Sequence, residues 1–383
     1  YHLYQLGGAY TIPDYDELLI ARGLDPVTHI GTFQNSSPIK IKILDVASTG
    51  ERKPVYCATE KYQNALTFNG QLSGNCVESF TPFDDFLIHV CNLVSINVYS
   101  AGTENLGKYA EISVRMLNAV IELTNDNLLP GARAHNLMYR SIGIGMMGIA
   151  DVLAKNKMSW RDPETAKYVG RLTEDIAYHA LKASVSLATT YPIRVFKDTG
   201  SSWHQGKMYG KEIEWFEKNS YNPGRWKSLQ ERVAKQPPMN CYLLSVAPNT
   251  STARLWGVSA SWFPRIRLEY QYIWHKTSIP IRPPVDGEDK WHYSLDSTLD
   301  QHHKIAVAAE IQKWVDQGVS LELVCNLNEG IYDKIPTRKL YDWIVDAWKS
   351  GLKSIYYVSI LQLYSDDPSP SLPQKVECES CAG

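Results

Sequence analysis

The sequence has little cysteine, no long apolar run and almost no net charge. Its 7 cysteines among 383 residues are few and odd in number, which argues against a structural disulfide framework and for reduced thiols in a cytosol. No apolar run approaches the ~18 residues that suggest a membrane span, and the first residues lack a signal-peptide layout. A formal net charge of -2 offers no footprint for nucleic acid or an anionic membrane. We therefore expect a cytoplasmic protein that binds neither.

The apolar content is sufficient for a large buried core. Hydrophobic residues make up 44% of the chain and charged residues 21%, which is typical of a globular protein. Short β-rich runs occur at 90–98, 241–246, 319–325 and 353–360. Because helical patterns separate these runs, the sequence predicts an α/β fold with parallel strands.

Four helices are predicted from periodicity and capping. The first would bury an apolar face made of Leu106, Tyr109, Ile112, Met116, Leu117, Val120 and Leu123. Asp162-Pro163 opens the second, as an N-cap followed by proline. The third runs over 302–317 and is closed by Gly318. Thr337 caps the fourth, which Gly351 ends; its predicted apolar face is Leu340, Ile344, Ala347 and Trp348.

Two tempting motifs are rejected. The glycines of 143–148 match the dinucleotide fingerprint, but no second strand with an acidic end follows at the required distance. We interpret these glycines as close helix packing. His135, His179, His204, His302 and His303 have no cysteine or carboxylate partner at ligand spacing, so no metal site is expected. Cys57, Cys241 and Cys325 are interpreted as core residues.

Cys76 and Glu78 form the most informative local motif. A cysteine two residues before a glutamate places a thiol and a carboxylate on one tight loop or strand, and Cys91 follows at the start of a β-branched run. Such a site suits sulfur redox chemistry with a base beside it. Spacing alone favours buried cysteines packed as small hydrophobes.

Two distant segments favour the redox interpretation of Cys76 and Cys91 over simple core packing. Tyr356 and Tyr357 lie on an apolar strand, and Cys378 and Cys381 lie close to the end of the sequence. The terminal pair suits thiol–disulfide exchange better than zinc, because no second ligand pair lies nearby.

A run of small hydroxyl residues follows the β-rich run 241–246. It consists of Pro248, Asn249, Thr250, Ser251 and Thr252. Backbone N–H groups of such a segment can form a phosphate-binding nest. An ordinary capped helix start explains the same residues equally well.

Together these motifs resemble, in order and spacing, the C-terminal half of the large catalytic subunit of class I ribonucleotide reductase. The resemblance covers about residues 46–383. It implies the second half of a ten-stranded α/β barrel with an active-site finger loop, over 46–364, and a mobile redox tail over 365–383. Residues 1–45 match nothing in the family and are interpreted as a joining segment.

The resemblance also implies the chemistry, which is the reduction of ribonucleoside diphosphates to deoxyribonucleoside diphosphates. Cys76 would carry a thiyl radical, Glu78 would be the general base, and Cys91 would be one of two reducing thiols. Tyr356 and Tyr357 would pass the radical from a separate, metal-containing small subunit.

Substrate binding and reductant follow from the same resemblance. Residues 248–252 would bind the substrate diphosphate. Cys378 and Cys381 would re-reduce the active-site disulfide and be recharged by thioredoxin or glutaredoxin. No cofactor would be bound by this chain.

The match departs from the family at two places. The family's asparagine normally stands two residues before the radical cysteine, where this chain has Gly74, so Asn75 either replaces it through a shifted loop or that sugar contact is lost. The partner of Cys91 and the first half of the barrel have no counterpart in 1–45. We therefore expect a split enzyme, inactive alone and completed by a second large-subunit chain. A split gene would suit a virus acting in its host's cytoplasm.

Two other interpretations stay open. A catalytically degenerate copy, acting as a binding or regulatory subunit, is suggested by Gly74. A free-standing thiol–disulfide protein would use Cys378 and Cys381 and would need neither nucleotide nor radical subunit.

Overall fold

The computed structural model describes residues 65–68, 71–74, 78–83, 87–124, 129–191, 201–274, 277–326 and 337–361. The predicted joining segment and the predicted tail lie outside these residues. The domain boundaries therefore stay predictions. Among the described helices, none is both long enough and apolar enough to cross a membrane.

Helices and strands alternate through much of the described chain. The strands are β1 (Ala65–Phe68), β2 (Gln71–Gly74), β3 (Leu93–Asn97), β4 (Gly143–Met147), β5 (Tyr270–Trp274), β6 (Thr277–Ile281), β7 (Glu322–Asn326) and β8 (Tyr357–Leu361). The α-helices are α1 (Val98–Ala101), α2 (Leu106–Thr124), α3 (Pro130–Tyr139), α4 (Ile149–Lys155), α5 (Pro163–Thr190), α6 (Ile213–Asn219), α7 (Pro223–Lys235), α8 (Thr250–Leu255), α9 (Gln301–Gln312) and α10 (Thr337–Lys349). Short 3-10 helices cover Thr103–Asn105, Ser202–Gln205, Gly287–His292 and Asp296–Thr298.

The chain divides into two compact units. In the first, which contains residues 1–75, β1 and β2 form an antiparallel hairpin with Ala65 opposite Gly74. The second begins at residue 76 and contains all the other elements. Its hairpin of β5 and β6 is also antiparallel, with Tyr270 opposite Ile281.

The main sheet of the second unit begins with the parallel pair β3 and β4. Leu93 lies opposite Gly143, and Asn97 lies opposite Met147. The sheet extends beyond β4, because Ile144 forms a parallel bridge with Leu244. The run at 241–246 thus lies beside β4, as the predicted parallel architecture requires.

The sheet then continues to β8. Val246 forms a parallel bridge with Val319, and the N–H of Ser320 donates to the carbonyl of Val246 at 3.0 Å. The chain runs from there into β7, which pairs in parallel with β8. Within the described chain the order of neighbours is β3, β4, 244–246, 319–326 and β8. A parallel sheet in chain order with helical connections confirms the predicted α/β class and suits half of a barrel.

The glycines of 143–148 shape the sheet, so their interpretation as helix packing was wrong. Strand β4 is buried along its whole length. A Cβ at Gly143 would lie 2.6 Å from the Cβ of Ser245, and one at Gly145 would lie 2.9 Å from the carbonyl oxygen of Ser245. Glycine at these positions lets the neighbouring backbone approach closely.

Helix α2 forms where periodicity predicted it, but only Leu106 and Leu117 of its predicted face are buried. On the predicted face, Met116 is 54% exposed and Leu123 is 79% exposed. The buried residues are Leu106, Ala110, Ser113, Val114, Leu117, Asn118 and Ile121. This side packs on α5, and Asn118 donates to Oδ1 of Asn240 at 3.0 Å. Small and hydrogen-bonded polar residues are acceptable in such a contact, which apolar periodicity does not detect.

Helix α5 confirms its predicted start. Asp162 is the N-cap, and its carboxylate accepts a hydrogen bond from the N–H of Glu164 at 2.9 Å. Pro163 follows at the first turn, where its missing N–H costs nothing. Helix α5 contacts both α2 and α9, so it lies at the centre of the helical layer.

The ends and faces of the later helices needed correction. Helix α9 ends at Gln312, well before the predicted Gly318, because the chain there must turn back into the sheet. In α10 the buried residues include Trp343 and Ala347, whereas Trp348 is 73% exposed. Gly351, with φ of +81°, ends that helix as predicted.

Candidate active site

Several predicted site residues lie outside the described part of the chain. These are Asn75, Cys76, Cys378 and Cys381; Cys57, interpreted as a core residue, also lies outside it. Their roles stay predictions. The structure does describe Glu78, Cys91, the tyrosine pair and residues 248–252, so the site can be built from these.

Glu78 is fully buried against the sheet. Its relative exposure is 0%, and its carbonyl oxygen accepts a hydrogen bond from the N–H of Gly318 at 2.6 Å. Its Oε2 lies 3.4 Å from Oγ of Ser320, which donates to it. The carboxylate therefore lies beside the sheet segment that leads into β7.

Gln317 fastens the loop that follows Glu78. Its Oε1 accepts hydrogen bonds from Oγ of Ser79 at 3.1 Å and from the N–H of Phe80 at 3.3 Å. Its Nε2 donates to the carbonyls of Ile142 at 2.8 Å and Leu244 at 3.2 Å. One buried amide thus connects the loop 78–83 to two neighbouring segments of the sheet.

Cys91 is an exposed thiol just before β3. Nε2 of His89 lies 3.1 Å from its Sγ, and Nδ1 of His89 is hydrogen-bonded to Oγ1 of Thr81. Thr81 belongs to the loop that follows Glu78. The loop that carries the predicted base therefore contacts the predicted reducing thiol through Thr81 and His89.

A second histidine lies behind this contact. Nε2 of His135, on α3, lies 3.0 Å from Oγ1 of Thr81, and its ring meets that of His89 edge to face at 5.6 Å. Burial, followed by the effect of His89, lowers the pKa of His135 to about 4. Burial also lowers the pKa of His89. Both imidazoles are therefore neutral at pH 7.

Tyr356 and Tyr357 lie together at the start of β8. Their ring centroids are 4.1 Å apart, with planes at 55°. Their backbone N–H groups both donate to the carbonyl of Leu321, at 2.7 and 3.4 Å. Leu321 directly follows Ser320, whose hydroxyl contacts Glu78, so the tyrosine pair and the carboxylate attach to adjacent residues of one sheet segment.

The 248–252 segment forms the start of α8, and the side chain of its N-cap residue, Asn249, makes no capping hydrogen bond to the helix. Asn249 adopts a left-handed conformation, with φ of 40°. Its Nδ2 donates to Oγ of Ser95 at 2.8 Å, and its Oδ1 accepts from the N–H of Ser261 at 2.9 Å. Because this amide is turned into the protein, the segment presents the backbone N–H groups of the half-exposed residues 250–252 and the hydroxyls of Thr250 and Thr252.

A buried carboxylate fixes the chain after α8. Asp151, on α4, accepts hydrogen bonds from the N–H of Ser259 at 2.5 Å and from the hydroxyl of Tyr293 at 2.7 Å. Arg265 neutralises it, with Nη2 at 3.2 Å from Oδ1. Since Ser261 lies two residues after Ser259 and holds Asn249, this pair stabilises the left-handed turn.

Two other cysteines lack the character of redox groups. Burial raises the pKa of the Cys241 thiol to about 12 and also raises that of Cys325. A thiol with a raised pKa is a poor nucleophile. Within the described ranges, no cluster of three or more His, Cys, Asp or Glu side chains is arranged to hold a metal ion.

Sequence reasoning missed several residues that shape this site. Gln317 was placed at the end of a helix, and Ser320 and Thr81 carry no motif at all. His89 was detectable, because it stands two residues before Cys91 and extended residues two apart lie on one side. The others depend on contacts between distant parts of the chain.

The sequence is similar to proteins of one known family. The family model described as "Ribonucleotide reductase, barrel domain" matches residues 63–280 and 267–358. A ribonucleoside-diphosphate reductase subunit alpha from Synechocystis is 37% identical over 316 residues, covering 79% of this chain and 40% of that protein. The subunit alpha from Helicobacter pylori strain 26695 is 32% identical over 337 residues, covering 84% of this chain and 41% of that protein. This chain therefore spans less than half the length of these relatives.

A solved structure has the same fold. The class Id ribonucleotide reductase alpha subunit of Actinobacillus ureae superposes with a TM-score of 0.55 at 19% identity, covering 75% of this chain and 52% of that one. That likeness concerns the fold alone. The barrel-domain model, by contrast, matches well over half of the sequence, and on that ground this chain belongs to the ribonucleotide reductase barrel family.

Proposed function

We propose that this chain supplies the second half of the catalytic barrel of a class I ribonucleoside-diphosphate reductase. The reaction removes the 2′-hydroxyl of a ribonucleoside diphosphate and gives the deoxyribonucleoside diphosphate. The position of Glu78 is the main observation that supports this proposal. A carboxylate buried in the sheet, next to the segment that holds a tyrosine pair, suits a base served by a radical pathway.

The chemistry requires three groups from the protein. A hydroxide is a poor leaving group, so the sugar is first activated by removal of its 3′-hydrogen by a thiyl radical on Cys76. Glu78 takes the proton of the 3′-hydroxyl, while the 2′-hydroxyl takes a proton from one of the two reducing thiols and leaves as water. Cys91 and a partner thiol supply two electrons and become a disulfide, so each nucleotide reduced consumes one thiol pair.

The radical arrives from outside this chain. A metal-containing small subunit supplies it, and Tyr357 and Tyr356 pass it on to Cys76. Close contact between the two rings supports this role, because short steps favour transfer between aromatic side chains. Stacked tyrosines also occur as plain packing, so the pair alone does not carry the proposal.

Substrate binding is assigned to residues 248–252. The first turn of a helix has N–H groups without helical partners, and these attract phosphate oxygens. The fixed Asn249 turn supports this role, because it holds the turn rigid without using the hydroxyls of Thr250 or Thr252. Cys378 and Cys381 complete the cycle by reducing the active-site disulfide, with thioredoxin or glutaredoxin as their own reductant.

The described edges of the sheet support a completing half-barrel. In the described chain β3 and β8 lie at opposite ends of the order of strands, and each offers an edge for pairing. The other half of a barrel would cover both edges. That this half belongs to a separate chain stays a prediction: it expects co-purification with a second large polypeptide, and turnover by a monomer of this chain would contradict it.

The proposal is tested by activity of the complex purified from the native source. Glu78→Gln keeps the shape of the side chain and removes its basicity, so conversion of CDP to dCDP should fall by about 10²–10⁴-fold, the usual worth of a general base. Glu217→Gln, at an exposed position of α6, is the matched control and should behave as wild type.

Cys76→Ser completes the design. Loss of turnover in this variant excludes the degenerate-copy interpretation. Full activity of Glu78→Gln, or thiol–disulfide exchange that needs no nucleotide and no radical subunit, would refute the proposed function.

A further inference from the structure

The contact between His89 and Cys91 has no role in the chemistry described so far. The imidazole Nε2 lies 3.1 Å from the sulfur, within the range of a hydrogen bond to sulfur. The other ring nitrogen is hydrogen-bonded to Thr81. A histidine held at both nitrogens has a fixed orientation toward the thiol, unlike a mobile surface side chain.

The residues packed around His89 do not favour its protonated form, so the imidazole is able to accept a proton. His135 contacts both Thr81 and the His89 ring, and Tyr139 packs on the far side of His135 at 5.1 Å. Among the described residues, the titratable groups that face His89 are Cys91 on its own segment and His135 on α3, with Tyr139 behind it. None of these described groups is a carboxylate that would hold the imidazole in its protonated form.

We propose that His89 is a further catalytic residue, which transfers the proton during reduction of the disulfide that Cys91 forms. This inference depends on the proposed function for the disulfide itself. The reductant is a dithiol, and the exposed sulfur of Cys91 makes the site accessible to it.

Reduction of the Cys91 disulfide by the dithiol proceeds through two exchanges of sulfur. The first thiol of the reductant gives its proton to Nε2 of His89, and its sulfur attacks the partner sulfur of the disulfide. The S–S bond breaks with its electron pair on Cys91, and His89 returns the proton to that sulfur. The second thiol of the reductant then displaces the partner thiol, so the active-site pair is reduced and the dithiol is oxidised to a disulfide.

The first experiment measures the His89–Cys91 pair without nucleotide. Alkylation of Cys91 by iodoacetamide is followed against pH by peptide mass spectrometry on the full chain. A hydrogen bond that favours the thiolate lowers a thiol pKa. His89→Phe, which removes that bond, should therefore slow alkylation at pH 7 by about tenfold and move the profile upward by about one unit.

Two further variants separate a proton carrier from a merely structural contact. His89→Gln keeps an N–H donor for the thiolate but has no group that exchanges a proton near pH 7. It should preserve most of the alkylation rate. His303→Gln, on α9, is the matched control and should be unchanged.

The second experiment measures reduction itself. The complex is oxidised by one round of CDP without reductant, and dithiothreitol is then added. Both His89→Phe and His89→Gln should recover thiols about tenfold or more slowly, consistent with the usual size of general acid–base catalysis, and the wild-type dependence on pH should flatten.

The outcomes are distinct. Equal alkylation profiles for wild type and His89→Phe would overturn the inference, as would wild-type recovery in His89→Gln. Failure of the wild-type complex to form any dCDP would overturn the proposed function, and the role of His89 in reduction with it, whatever the alkylation profile shows. Slow recovery in both His89 variants, with His303→Gln normal, supports it.

Discussion

Replacing Gln317 by alanine tests how the Glu78 loop is held on the sheet. The side chain is buried, with 1% exposure, and its amide bonds two residues of the loop and two carbonyls of the sheet. Truncation removes all of these bonds. It also leaves a cavity that the neighbouring strands cannot close without shifting.

The expected loss of folding stability in Gln317→Ala follows from the hydrogen bonds that each partner of the side chain loses. The Leu244 carbonyl also accepts the backbone N–H of Gln317 at 3.2 Å, so it keeps a donor. The Ile142 carbonyl loses a bond of 2.8 Å inside the sheet, whereas water can replace the bonds to Ser79 and Phe80. With about 1–3 kcal/mol for a buried acceptor and about 1 kcal/mol for the exposed bonds together, the expected loss is about 2–4 kcal/mol.

Chemical denaturation measures this loss. The midpoint for Gln317→Ala should fall while the slope stays unchanged, and Gln205→Ala, at an exposed position, should change stability by no more than about 0.5 kcal/mol. Turnover should also fall, since a displacement of about 1 Å at a reacting group costs about 10²-fold. A wild-type midpoint for Gln317→Ala would refute the argument that this amide joins loop and sheet.

Two other parts of the structure give further predictions. Gly145→Ala should lower stability by about 1–3 kcal/mol, because its Cβ would lie 2.9 Å from a carbonyl oxygen. The control Gly224→Ala has open space around it and should lose no stability. Equal stability of the two variants in chemical denaturation would contradict the close approach of the strands at Gly145. The pKa of His135, lowered by burial to about 4, means that the folded state binds fewer protons than the unfolded state. Stability from this group should be complete above pH 6.5 and be lost as the pH falls toward 4. Imidazole NMR should show the low midpoint, and a midpoint near 6.5 would be the contrary result.

Local chemistry explains what the sequence predicted well. The Asp162-Pro163 start of α5 depends on one side chain and one ring, so neighbouring residues suffice to predict it. The parallel runs were recognisable from their β-branched residues. Family motifs pointed to Glu78 and Cys91 as candidate site residues, and the roles of both stay predictions.

Long-range contacts explain what the sequence predicted poorly. The apolar periodicity of α2 selected mostly exposed residues, because the buried side of the helix includes Ala110, Ser113 and Asn118, which carry little apolar signal. The glycines of β4 resembled helix packing because a close strand approach also requires glycine. Gln317 acts through partners more than 70 positions away in the chain, and no local pattern reveals such a role.

The most direct test of the central claim is the Tyr356→Phe variant of the native complex, assayed for dCDP formed from CDP. Phenylalanine preserves the ring contact of 4.1 Å but has no hydroxyl to carry the radical, so the account predicts turnover at background level. Tyr191→Phe, at the exposed end of α5, should retain full activity. Wild-type dCDP production by Tyr356→Phe would contradict the claim that a radical reaches the Glu78 site through this chain's tyrosine pair.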